Sequence, residues 1–336
     1  MYVYGSFVQS RMYRAGVTCS DCHNPHSGEL LTGTRPSDVC AQCHLPTKFA
    51  VPEHSGHMIQ DASCVDCHMT SRIYMGVDER RDHSFRIPRP DLTLEIDAPN
   101  ACTGCHSDES ADWATTEIAQ WLGEDALPRL HIGKAIAAGR QGPANQALVD
   151  ASMNPDFPAI GRATALTLLA PPYSDLETDA IAAALDDTDP LIRMAALRAL
   201  QLASAETRLK VGTKALADPV LSVRLAAAPV YAELRDLLAA ADARAFGRAA
   251  EEYRATNTML ANTPEALARL GNFELSMGDA NKAIRYFTRA LEMEPGNALL
   301  RHSMGLILVR AGDRDDALVQ LRRAHELEPS NARFVY

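Results

Sequence analysis

Cys19-Ser20-Asp21-Cys22-His23 is the first of four like pentads, followed by Cys40-Ala41-Gln42-Cys43-His44, Cys64-Val65-Asp66-Cys67-His68 and Cys102-Thr103-Gly104-Cys105-His106. Each places two thiols three positions apart and an imidazole directly after the second. That spacing lets both sulfurs form thioethers with the two vinyl groups of one haem while the histidine reaches the iron from the same turn. Histidine fills 11 of 336 positions, so its chance appearance after all four second cysteines has odds of about one in a million. Four c-type haems are therefore the expected cofactors. Cys19, Cys22, Cys40, Cys43, Cys64, Cys67, Cys102 and Cys105 would be the thioether sulfurs, and His23, His44, His68 and His106 the proximal iron ligands. Zinc sites and disulfides also use paired cysteines, but neither requires a histidine beside every second one.

Each iron has a sixth position. Apart from the motif histidines, the same segment holds His26, His54, His57 and His83, with His131 just beyond. Four candidates facing four irons predict bis-histidine, low-spin, low-potential centres suited to electron transfer. Met58, Met69 and Met75 are thioether alternatives, and His131 reads as structural. Arg80, Arg81 and Arg86 surround His83, and their guanidinium forks suit haem propionates; a solvated loop or a partner-docking surface are the competing readings. The segment has too few large aliphatic residues for an ordinary core, so the porphyrins would be the core and the apo form largely unfolded.

Cysteine vanishes after residue 105, and the composition turns to Ala, Leu, Arg and Asp. Between the third and fourth motifs, Ile87-Pro88-Arg89-Pro90 through Ala98-Pro99-Asn100 is punctuated by proline and expected to run extended. Trp113, Ile118, Trp121 and Leu122 are spaced for a helix over 110–122 that closes the haem domain.

The second half repeats. Gly161-Arg162-Ala163, Ile192-Arg193-Met194-Ala195 and Val223-Arg224-Leu225-Ala226 carry arginines 31 residues apart, and this resembles HEAT repeats. The period then becomes 34: Gly271 with Gly305, Gly278 with Gly312, Ala283 with Ala317, Ala290 with Ala324 and Pro295 with Pro329. These pairs match the tetratricopeptide (TPR) pattern of small residues where two antiparallel helices cross. Ala249 and Tyr253 fall one period earlier, so about 240–262 reads as a degenerate leading repeat. The expected fold is mostly α, a haem-packed cytochrome domain with little regular structure followed by a helical solenoid. Its expected divisions are 1–122 tetrahaem domain, 123–144 linker or helix, 145–238 HEAT-like repeats and 239–336 TPR repeats.

Gly16-Val17-Thr18-Cys19 through Asn24-Pro25-His26, Cys67-His68-Met69, Arg80 through Pro90 and Pro99-Asn100-Ala101-Cys102 resemble bacterial multihaem cytochromes c. The likeness covers about residues 2–122 and is to the tetrahaem module related to the electron acceptor of hydroxylamine oxidation. It implies a distal-ligand role for His26, and less directly for His54, His57 and His83. The C-x-x-C-K motif of nitrite-reducing relatives is absent from the sequence.

Formal charge is −10, and no basic patch invites nucleic acid. No run of eighteen or so apolar residues offers a membrane span. Thioether attachment of haem takes place outside the cytoplasm, whereas Met1-Tyr2-Val3-Tyr4-Gly5 lacks the basic start and apolar run of an export signal. A longer parent carrying the signal, and further haems, is the expectation. The sequence favours an electron relay in the periplasm or at the cell surface, its repeats docking redox proteins. A reductase or oxidase of a small nitrogen or sulfur species at a five-coordinate haem is the alternative, and a haem-stabilised scaffold protein the third. Self-assembly is left open.

Overall fold

Prolines and closely spaced cysteines leave the first hundred residues little room for long helices. In the computed structural model, which describes residues 3–33, 35–58, 61–123, 127 and 130–334, this stretch forms short turns of helix such as Pro36–Cys40, Pro46–Phe49, Pro52–Ser55, Cys64–His68 and Cys102–Cys105. Three begin on proline, whose missing N–H costs nothing in a helix's first turn. One antiparallel hairpin, β1 (Ser71–Tyr74) and β2 (Asp78–Arg81), turns through Met75 and Gly76 at positive φ. Over residues 3–106 the buried apolar side chains among the described residues are Phe7, Val65 and Leu92. Leu31, Leu45, Ile73, Ile87 and Leu94 are instead exposed in the polypeptide.

The 87–100 linker differs from expectation. A helix, Asp91–Ile96, forms in its middle and ends at Asp97 in the left-handed region. Proline restricts only the residue before it, and residues 91–97 precede none. Helix α1 (Ala111–Leu122) forms where the apolar spacing places it, with Ser110 Oγ accepting from the Trp113 N–H. Helices α2 (Ile132–Gln141), α3 (Asn145–Met153) and α4 (Ala159–Thr167) follow. The chain divides into two compact units, Met1–Ala170 and Pro171–Tyr336. Helices α3 and α4, grouped by sequence period with the later repeats, thus share a unit with the cysteine motifs.

The regular elements of the second unit are helices: α5 (Asp175–Ala184), α6 (Pro190–Leu200), α7 (Ala205–Val211), α8 (Leu221–Tyr231) and α9 (Ala240–Met259), with 3₁₀ segments before and after α8. The 31-residue period has a physical basis. Arg193 donates to the Asp187 and Thr188 carbonyls and forks onto Asp218; Arg224 repeats this on Asp218, Pro219 and Glu252. The degenerate leading repeat is one long helix, α9, with Ala249 and Tyr253 buried.

Two antiparallel hairpins complete the unit, α10 (Pro264–Ser276) with α11 (Ala280–Met293), and α12 (Ala298–Ala311) with α13 (Arg314–Leu327). The glycines of the 34-residue period sit at the crossings. A Cβ on Gly305 would lie 2.6 Å from Leu321, and one on Gly271 2.6 Å from Phe287. Gly305→Val is therefore expected to destabilise this unit by about 1–3 kcal/mol through overpacking. Gly296→Ala, whose Cβ would meet nothing within 4 Å, should be near neutral. Urea denaturation followed by circular dichroism compares the two.

Candidate haem centres

The pentads are held as turns by their own neighbours. Thr18 donates its N–H and hydroxyl to Asp21, and Ser63 does the same to Asp66. These capping boxes recur at the entrances to the first and third motifs, and their signal in the sequence is the Thr-x-x-Asp and Ser-x-x-Asp spacing. Asn100 Oδ1 accepts from the Thr103 N–H at the fourth motif. The N–H groups of His23, His44 and His106 each donate to the carbonyl of the motif's first cysteine at 2.9 Å. Each motif thereby presents its thiols and imidazole from one turn.

Three of the four motif imidazoles face a second imidazole from elsewhere in the segment. His23 and His83 have ring centroids 6.3 Å apart, His68 and His54 6.1 Å, and His106 and His57 5.9 Å. Two imidazoles on opposite sides of one metal, each bonded at about 2 Å, would have centroids roughly 6 Å apart. Hydrogen bonding sets the tautomers. Nδ1 of His23 meets the Gly28 carbonyl at 2.8 Å, His68 that of Arg86 at 2.7 Å, His57 that of Ser55 at 2.7 Å and His83 that of Arg81 at 2.9 Å. A carbonyl only accepts, so Nδ1 carries the proton and Nε2 keeps a lone pair, the arrangement that orients metal-bound histidines. His131 does the reverse: its Nδ1 accepts from the Gly133 N–H at the start of α2. This makes it a helix cap. Burial first, then His68 and His44, holds His54 below the ordinary imidazole pKa, which favours the neutral ring that ligation requires.

The remaining two histidines stand apart. His44 meets Phe49 edge-on at 5.4 Å, with Phe49 in turn 5.2 Å from His54. His26 is exposed in a tight turn, where its N–H donates to Asn24 Oδ1. Among the described residues neither ring pairs with another imidazole in the way the other three do.

The motifs adjoin one another in chain order. Burial raises the Cys22 thiol pKa, with Cys43 adding to it; burial, then Cys64 and Cys22, push Cys40 up to about 11; burial, then Cys102, raise Cys67. The eight thiols form no disulfide, and no three His, Cys, Asp or Glu side chains converge as a metal cage among the described residues, the arrangement a structural zinc needs. Around the imidazoles, Trp113 packs on His106 at 4.9 Å, and Trp121 lies against Gly56, the left-handed residue that separates His54 from His57. The Ser84 hydroxyl beside His83 is buried without a hydrogen-bond partner. The thin aliphatic core, the paired imidazoles and this orphaned hydroxyl all fit a segment built around porphyrins.

The three arginines hold protein partners. Arg80 pairs with Asp78 and lies over Tyr74, and Arg86 pairs with Asp82. Arg81 donates to the Val65 and Met69 carbonyls and to Asp66. It ties β2 to the third motif. The Arg89–Asp91 ion pair, largely buried at 2.5 Å, has no period in the sequence to mark it.

Two family profiles match the chain. The doubled CXXCH motif covers residues 12–49, which include the first two pentads, and the tetratricopeptide repeat covers residues 274–336. The chain thus carries a haem-binding motif of the multihaem c-type cytochrome kind and a protein-interaction repeat. No curated protein and no solved structure matches it. Among the described residues no helix is long and apolar enough to cross a membrane.

Proposed function

We propose that this chain is a tetrahaem c-type cytochrome, of the kind related to the electron acceptor of hydroxylamine oxidation. It would relay single electrons outside the cytoplasm while its HEAT-like and tetratricopeptide repeats dock redox partners. The observation that carries the reading is the set of three imidazole pairs at 5.9–6.3 Å, each joining a motif histidine to one from a distant turn. The haems supply one-electron chemistry at iron. The polypeptide holds them through the eight cysteine sulfurs and orients the ligands through carbonyls. His23 with His83, His68 with His54 and His106 with His57 would be the axial pairs. Motifs adjoining in series would place the macrocycles in one conductive row.

A second reading rests on His44. Phe49, not an imidazole, is its described ring neighbour, so the haem on Cys40 and Cys43 is the place where a small nitrogen or sulfur species would reach iron. One set of measurements tests both readings. The holoprotein is expected to have the mass of the polypeptide plus four haems, and carbon monoxide should perturb the Soret band of one haem at most. Colourless protein of bare polypeptide mass would end both readings. Carbon monoxide binding at two or more haems would break the axial pairs, and turnover of a small substrate would select the enzyme.

A further inference from the structure

Residues 81–86 supply the carbonyls that orient imidazoles of two different motif centres. The Arg81 carbonyl accepts from His83 Nδ1 at 2.9 Å, and the Arg86 carbonyl accepts from His68 Nδ1 at 2.7 Å. His83 faces His23 of the first motif, whereas His68 belongs to the third and faces His54. One loop is therefore common to two imidazole pairs. Its backbone is also tied to the third motif: the Arg86 N–H donates to the His68 carbonyl and the Asp82 N–H to that of Thr70, both at 3.0 Å.

A single side chain fastens this loop. The Asp82 carboxylate accepts from the Ser84 N–H at 2.9 Å, from Arg86 Nε at 2.8 Å and from the Ser6 hydroxyl. Ser6 is buried in the helical turn Val3–Phe7, 76 residues away along the chain. Beside it Phe7 meets Phe85 edge-on at 6.3 Å, and Phe85 meets the His83 ring at 6.0 Å. Phe85 stands at φ 48°, a conformation that a bulky residue keeps only where its surroundings impose it. Bonds to an ionised acceptor are about twice as strong as neutral ones, so the carboxylate draws the two ends of the loop together.

The geometry points to Asp82 as a positioning residue for two haem centres at once, those of the first and third motifs, acting through the carbonyls of Arg81 and Arg86. This deepens the tetrahaem reading and rests on it. A carbonyl that accepts from Nδ1 fixes the ring orientation of a metal-bound imidazole and raises its basicity, and second-shell bonding of that kind sets the potential at iron. Loosening the loop should weaken both bonds together, so both potentials should rise. The fourth-motif pair is an internal control, because His57 takes its carbonyl from Ser55, outside the loop.

Electron paramagnetic resonance and redox titration of the holoprotein test it, comparing wild type with Asp82→Ala. His83→Ala and His54→Ala identify the signals of the two centres. In Asp82→Ala both centres should change their g-values and rise in potential, with every haem retained and the fourth-motif centre unmoved. A loop that merely held the chain in place would lower stability without moving these two centres together. Asp82→Asn keeps a side-chain oxygen for Ser6 and Ser84 but sets an amide NH₂ against Arg86, and it should move the same two centres by less. If Asp82→Ala is not recovered with haem, the asparagine variant decides. A low-spin wild type in which the shift is absent, confined to one centre or spread to the fourth motif overturns the inference and leaves the tetrahaem reading standing. A wild type without low-spin haem overturns that reading and this inference with it.

Discussion

Replacing His83 with alanine should convert one low-spin haem to high spin and leave the other centres as they were. His83 faces His23 at 6.3 Å with its Nδ1 proton committed to the Arg81 carbonyl, so its removal takes away the imidazole that pairs with the first motif among the described residues. The haem itself should stay, because Cys19 and Cys22 hold it covalently. His83→Met should return that iron to low spin at a raised potential, as thioether ligation does. Two controls sharpen the result. His26→Ala removes an exposed imidazole paired with no other ring among the described residues, and its spectrum should match wild type. His131→Ala should cost about 1 kcal/mol of stability through the lost helix cap and leave the spectrum untouched. Electron paramagnetic resonance of the oxidised protein reads all four, and an unchanged low-spin spectrum in His83→Ala would remove His83 as a ligand.

The contrast between His83 and His26 shows where sequence reading reached its limit. The pentads were legible because their chemistry is local: two sulfurs and an imidazole on one turn need no tertiary information. The repeats were legible for the same reason, since a small residue recurs wherever two helices cross, as Gly271 and Gly305 do. Distal pairing is a tertiary property. His83 lies 60 residues from His23 along the chain, and the fold, not local spacing, sets their rings 6.3 Å apart. The resemblance to multihaem cytochromes c implied a distal role for His26, three residues beyond a motif; nothing local in the sequence distinguishes it from His57. The helix at Asp91–Ile96 is hidden in the sequence by the prolines around it, although proline restricts only the residue before it.

Without attached haem, residues 3–106 should lose their structure while the second unit stays folded. The two regions are held by different means. In the first, Phe7, Val65 and Leu92 are the buried apolar side chains among the described residues, whereas the second has an interior that includes Leu197, Leu200, Val223, Tyr231, Leu267, Phe273 and Phe287. Chain entropy opposes folding equally along both, so on the proposed reading the first draws its stability from macrocycles packed among the turns. Protein made in a host that lacks haem attachment should therefore be cut rapidly across residues 3–106 in limited proteolysis, leaving a resistant core within 171–334. Far-UV dichroism should keep most of its helical signal, and heating should show one transition, against two expected for the holoprotein. Serine at both Cys64 and Cys67 should produce a local version of the same failure, centred on β1 and β2, because Arg81 anchors that hairpin to the Val65 carbonyl inside the third motif and the Met69 carbonyl just after it. An apo chain as protease-resistant over 3–106 as the holoprotein would mean that the polypeptide supplies a core of its own, and the porphyrin-packed reading would fall with it.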